Sequence, residues 1–237
     1  MDKSIKSLLF AVILCVVCSV LLTAASTGLK SRRQRNLAVD RQKNILMAMG
    51  LIQEDVRLSQ EDVQNLYRQA VKSVWVDEAG QLDHATRKGV RQMPLYVLLR
   101  DNRIDAYVVP VNTRGLWGKI HGYLAIENDG TTIRGFTVYK HSETPGLGGE
   151  IESRWFRENF ANKRLVDTGG NFVSIGIAKG SVEAVVPKPR QANYVDGISG
   201  ATLTGKLLSS GLKEILRDYE PMAIEFRQKN RRYLRMP

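Results

Sequence analysis

Between Asp196 and Thr204 the chain reads Asp-Gly-Ile-Ser-Gly-Ala-Thr-Leu-Thr, a run of small and hydroxyl residues that leads directly into an apolar helical pattern. Leu203, Leu207, Leu208, Leu212, Ile215, Leu216 and Tyr219 recur at the spacing of one helix face. Ser199 suits an N-cap, and Gly200 and Ala201 are small enough for a ligand to approach the backbone. The first turn of a helix offers unpaired N–H groups and a partial positive charge, so a phosphate is favoured there. Thr202 places a hydroxyl within that turn.

Such a stretch has an ordinary reading, a capped helix start with no ligand. It also fits the GxxxxGK spacing of a P-loop from Gly200 to Lys206. Leu207, however, stands where the Mg²⁺-binding Ser or Thr belongs, and too little chain follows for a parallel nucleotide-binding sheet. Two further glycine-rich turns lie upstream. Gly115-Leu116-Trp117-Gly118 puts an indole on a tight loop, able to plug the edge of a core or to cover a flat aromatic ligand. His141 to Glu150 contains Glu143-Thr144-Pro145-Gly146-Leu147-Gly148-Gly149, where Pro145-Gly146 suits a turn and Gly148 and Gly149 permit close backbone approach.

The elements that position these turns give an α+β chain behind a membrane anchor. Leu8 to Ala25 carries no charge, and about 18 to 20 apolar residues cross a bilayer. An uncleaved span is expected, with a signal peptide ending near Ala24-Ala25-Ser26 as its rival. Leu37 to Leu51 is helical in pattern and ends near Gly50; Gln60 to Val76 reads as a second helix, and Gln81 to Gly89 as a loop. Leu95–Leu99, Ala106–Pro110, Gly122–Ile126 and Thr132–Tyr139 read as strands of an antiparallel meander, with Asn128-Asp129-Gly130 turning between the last two. Trp155 to Phe160 starts a short helix, and Phe172–Ala178 and Val182–Val186 read as two further strands. Expected boundaries are a stub and span (1–35), a helical connecting region (36–90), an α+β domain with an antiparallel sheet packed by helices (91–220) and a basic tail (221–237).

Composition narrows the chemistry. Both cysteines, Cys15 and Cys18, lie within the apolar run, so the domain has no disulfide and no thiolate-held cluster. His84, His121 and His141 are too scattered for a metal set, so no metal is expected and any redox chemistry falls to an organic cofactor. The net charge of +11 concentrates between Lys30 and Lys43 and in Arg227, Lys229, Arg231, Arg232 and Arg235. Neither stretch interleaves aromatics as a nucleic-acid platform would, so lipid headgroups, neighbouring subunits or plain solvent are expected instead. Lys3 and Lys6 before the span against Lys30, Arg32, Arg33 and Arg35 after it place the large domain in the cytoplasm by local count.

Asp196 to Thr202, the Glu143–Glu150 segment and the Gly115–Gly118 turn stand in an order that resembles the FMN-binding proteins of bacterial sodium-translocating NADH:quinone reductases and of the related Rnf complexes. The likeness covers nearly the whole chain; the early Asp40–Leu46 run and the form Ser199–Thr204 resemble the C subunit of the reductases more than the G subunit of Rnf. That resemblance implies FMN esterified through its phosphate to Thr202, installed by a flavin transferase that reads Asp196 and Gly197. It implies that Trp117, Glu143, Thr144, Leu147 and Gly148 line the flavin, with Ser199, Gly200 and Ala201 around the phosphate. It further implies electron relay through that flavin within a multi-subunit sodium-translocating NADH:ubiquinone oxidoreductase of the bacterial inner membrane, without a catalytic acid/base dyad, Glu143 acting as a positioner. The stub would then be cytoplasmic and the domain periplasmic, opposite to the charge count.

Overall fold

A long apolar run followed by alternating β-branched segments should give a long helix and then a sheet, and both are present. The computed structural model describes residues 3–101 and 103–228. Its contacts define two compact units, Met1–Asp40 and Arg41–Pro237. Helix α1 (Lys3–Ala48) is long and apolar enough to cross a membrane. Within the second unit come α2 (Gln60–Ala70), β1 (Val71–Asp77), β2 (Leu82–Asp83), β3 (Gln92–Arg100), β4 (Arg103–Arg114), β5 (Lys119–Glu127) and β6 (Ile133–Lys140). There follow α3 (Arg154–Glu158), β7 (Gly176–Ile177), α4 (Val182–Val185), β8 (Tyr194–Val195), α5 (Thr202–Asp218) and α6 (Glu220–Arg227).

The six strands pair antiparallel in the order β2-β1-β3-β4-β5-β6, while β7 and β8 form a separate parallel pair. The central strands β4 and β5 are buried at consecutive residues through their middle, so both of their faces are covered there. Tyr107, Val109 and Val111 of β4 join Leu124 and Phe136 in a core shared with Phe156, Phe160, Leu208, Leu212 and Phe226. On the opposite side the last turns of α1 lie against β6: Thr137 Oγ1 donates to the Asn44 carbonyl at 3.3 Å, and a Cβ on Gly135 would meet the Ala48 carbonyl at 2.5 Å. Among the described residues three buried side-chain atoms have no hydrogen-bond partner, Gln42 Oε1, Ser174 Oγ and the Tyr107 hydroxyl, the last of them in the main core. Tyr107 is fully buried and stacks on Phe226 at 4.9 Å, but its hydroxyl has no partner, and burial pushes its pKa up. Tyr107→Phe removes that unpaired group, so stability should stay level or rise by about 1 kcal/mol, read as a higher urea midpoint.

The β5–β6 turn shows how side chains replace backbone pairing. Asp129 accepts from Thr131 N at 2.7 Å, Thr132 N at 2.8 Å and Thr132 Oγ1 at 2.6 Å. Burial works against its charge, but these bonds outweigh burial and hold the carboxyl below its ordinary range. A depressed folded pKa contributes stability above the unfolded value, about 3.9, and that contribution fades as pH falls through the folded pKa. The stability gap between the parent protein and Asp129→Ala should therefore be full at pH 6 and shrink below about pH 4, measured by urea unfolding at each pH.

Several sequence expectations need correction. Val71–Asp77 is β1, not the end of a helix from Gln60: α2 stops at Ala70, its cap Val71 is already extended, and Val71, Val74 and Val76 pack into the core. The region 36–90 is thus not a helical connector, since β1 and β2 belong to the main sheet, with β1 paired to β3. Val182–Val185 is a short helix instead of a strand, because Asp196 Oδ1 accepts from Val182 N at 2.6 Å and caps it. Phe172–Ala178 shrinks to the two residues of β7. The segment expected as a basic tail opens as α6, whose Met222 and Phe226 are buried and whose Arg227 pairs with Glu220. Lys229, Arg231, Arg232 and Arg235 lie outside the described residues.

Candidate functional site

Antiparallel pairing decides which loops meet. Because His121 of β5 lies opposite Lys140 of β6 and Arg114 of β4 lies opposite Lys119, the β4–β5 turn and the loop after β6 leave the sheet at the same end. The Gly115–Gly118 turn is closed by a bond from Gly115 N to Gly118 O at 2.7 Å. Helix α5 packs along β4 with Gly211 against Thr113. The start of α5 completes a cleft of about 330 Å³ lined by Leu116, Trp117, Glu143, Thr144, Leu147, Gly148 and residues 200–204.

A buried carboxylate ties the three walls together. Glu143 is 5% exposed. Its Oε2 accepts from Thr204 Oγ1 at 2.6 Å, and its Oε1 accepts from Trp117 N at 3.0 Å. Its own N–H donates to His141 Nδ1 at 3.0 Å, while His141 Nε2 faces Glu152 Oε2 at 3.1 Å. Glycines make room for that arrangement: a Cβ on Gly148 would lie 2.6 Å from Thr204 Oγ1 and 2.8 Å from Glu143 Oε2. Gly200 has φ +74, the left-handed region, and a Cβ there would meet Leu147 Cδ2 at 2.8 Å. Trp117 remains 69% exposed at the rim, so it does not plug the core.

Of the sequence candidates, Trp117, Glu143, Thr144, Leu147, Gly148, Gly200, Ala201 and Thr202 line this cleft together. Ser199, Asp196 and Gly197 do not. Ser199 is exposed and is not the N-cap; the left-handed Gly200 follows it, and the helix starts after Ala201, which makes no side-chain capping bond. Asp196 caps α4, and Gly197 donates to the Gly180 carbonyl at 2.8 Å, with the Ala178 carbonyl 2.1 Å from where its Cβ would stand. Both brace the loop that delivers the chain to α5.

Sequence reasoning missed Leu116, Leu203 and Thr204. Leu203 fits the packed face by spacing, yet it is 57% exposed beside the cleft. A signal was present: the buried line Leu208, Leu212, Leu216 steps back by four to Thr204, not to Leu203. The P-loop spacing dissolves in the structure. Gly205 and Lys206 already lie inside α5, Gly205 faces Ile177, Lys206 is exposed, and the main sheet is antiparallel.

Residues 115–217 match the family model described as an FMN-binding domain. The C subunit of the Na(+)-translocating NADH-quinone reductase of Yersinia pestis is 36% identical over 233 residues, covering 86% of this chain and 85% of that protein. Its counterpart from Pseudomonas aeruginosa is 30% identical over 86% of this chain and 88% of its own. The crystal structure of the C subunit from Parabacteroides distasonis superposes with a TM-score of 0.69 at 27% identity, covering 82% of this chain and 96% of that one. With that much of its length shared at that identity, and with the cleft inside the matched domain, the chain belongs to the C subunits of the sodium-translocating NADH-quinone reductases, an oxidoreductase complex, and has the FMN-binding domain of that family.

Proposed function

We propose that this protein carries FMN as a phosphoester on Thr202 and relays electrons through it within the reductase. The observation that carries the reading is the placement of Thr202: exposed, first in α5, and lining the same cleft as Trp117 and the glycine-rich loop. The residues fit the group. The amides of Thr202, Leu203 and Thr204 begin the helix ahead of any intrahelical acceptor and suit the singly charged phosphodiester that attachment to Thr202 would leave. Gly148 and Gly200 keep side chains out of the space beside them, and Trp117, Leu116, Leu147 and Leu203 offer apolar surface to a flat ring.

Bound FMN supplies the redox chemistry, exchanging electrons singly or in pairs. The chain does the rest. Thr202 supplies the oxygen of attachment, which keeps the carrier at a fixed effective concentration. The helix start neutralises the phosphate, and Trp117 with its leucine neighbours excludes water from one side of the cleft. Glu143 accepts two protein hydrogen bonds and therefore positions the site, with no role as a proton donor.

Maturation by a flavin transferase that reads Asp196 and Gly197, and a periplasmic position for the second unit, belong to the same reading. The family resemblance supports both; the Lys/Arg excess after the span opposes the second. Protein isolated from its own membranes with the transferase active should fluoresce in a denaturing gel under ultraviolet light and show added mass on the Thr202 peptide. A dark band at unmodified mass would overturn the proposal.

A further inference from the structure

Thr204 stands two residues after the attachment position but faces the other way, 2% exposed where Thr202 is open. Its hydroxyl is committed to Glu143 Oε2 at 2.6 Å, and the second carboxylate oxygen is committed to the Trp117 amide at 3.0 Å. The fit around this carboxylate is close on both sides: a Cβ on Gly115 would stand 2.5 Å from Oε1, and one on Gly148 2.8 Å from Oε2. No other hydrogen bond described between side chain and main chain joins the Gly115–Gly118 turn to the Glu143 loop. We propose that Thr204 and Glu143 are positioning residues, a two-bond strut from α5 through the glycine-rich loop to the Trp117 turn that sets the height of the indole above the helix start. The consequence for the cofactor rests on the FMN reading above; the strut itself does not. His141 anchors the middle of the strut, and its contacts fix its tautomer. With Nδ1 accepting from Glu143 N and Nε2 directed at Glu152, the hydrogen sits on Nε2.

The test uses the full chain in detergent as parent protein, Thr204→Val, Thr204→Ala and Thr204→Ser. Amide hydrogen exchange is followed by mass spectrometry on the peptide that contains Trp117, with a β3 peptide as control. Both hydroxyl-free variants should exchange faster at the Trp117 peptide, on the order of tenfold, with β3 unchanged; Thr204→Ser should match the parent. In flavin-loaded protein the visible circular dichroism of the flavin should change in Thr204→Val and return in Thr204→Ser. Equal exchange at Trp117 in all variants, or acceleration that extends to β3, would overturn the strut. If every preparation made with the transferase active lacks flavin, the FMN reading fails instead, and the exchange data still decide the strut.

Discussion

Thr202→Ala should abolish in-gel flavin fluorescence completely and return the α5 N-terminal peptide to its unmodified mass, with folding untouched. The size of the effect follows from geometry. Thr144, Ser199 and Thr204 carry the nearby hydroxyls, but none of them stands exposed on the first turn of α5; Thr144 lines the cleft from the loop after β6. Ser199 does not line the cleft, and Thr204 is buried with its hydroxyl held by Glu143. Stability should stay within about 0.5 kcal/mol, because Thr202 is exposed, is not the cap residue, and gives way to a better helix former. Thr202→Ser keeps the oxygen and should retain flavin. Fluorescence that survives Thr202→Ala would place the bond on another residue.

The contrast between Thr202 and its neighbours separates what the amino-acid pattern encodes locally from what only the fold decides. Composition and alternation sufficed for the anchor and for β3 to β6, because a half-buried strand must repeat every second residue and a span must be uncharged. Asn128-Asp129-Gly130 announced its turn, since Gly130 needs the φ of +66 it adopts. Boundaries failed where no breaker marks them. Between Ala70 and Val71 the chain passes from helix to strand without Gly or Pro, so the helical period runs on too far in a sequence reading. Val182–Val185 failed differently: a distant carboxylate, Asp196, outweighs β-branched preference, and no local pattern encodes it.

The cleft was legible as three segments but not as a set of contacts. Small residues at 115, 148 and 200 advertise close approach, yet only the sheet register reveals that the β4–β5 turn and the β6 loop share one end. Thr204 escaped notice because a hydroxyl on a buried helix line reads as a gap in an apolar face. Its partner Glu143 lies 61 residues earlier in the chain. Asp196 and Gly197 show the opposite risk. Each has a sufficient structural reason to be present, so any part in transferase recognition must be separated from loop bracing by experiment.

Gly211→Val should be strongly destabilising, and it should also reduce flavin loading although every cleft residue keeps its identity. Gly211 is buried where α5 crosses β4, and a Cβ there would fall 1.6 Å from Thr113 Oγ1 and 2.5 Å from Thr113 Cβ. Rotating Thr113 relieves the first clash but not the second, so the helix must lift from the strand. Overpacking costs about 1–3 kcal/mol when side chains can absorb it. Here the backbone must move, so about 3 kcal/mol or more is expected, after an offset of up to ~1 kcal/mol from replacing a helical glycine. Lifting α5 shifts Thr202 and Thr204 together relative to the β4–β5 turn, which separates the attachment oxygen from Trp117. Adding Thr113→Gly removes the obstructing atoms and should recover part of the loss, a coupling that a double-mutant cycle measures directly. Equal unfolding midpoints for Gly211→Val and the parent would mean that α5 does not rest on β4 at this point, and the position assigned to Thr202 at the cleft would fall with it.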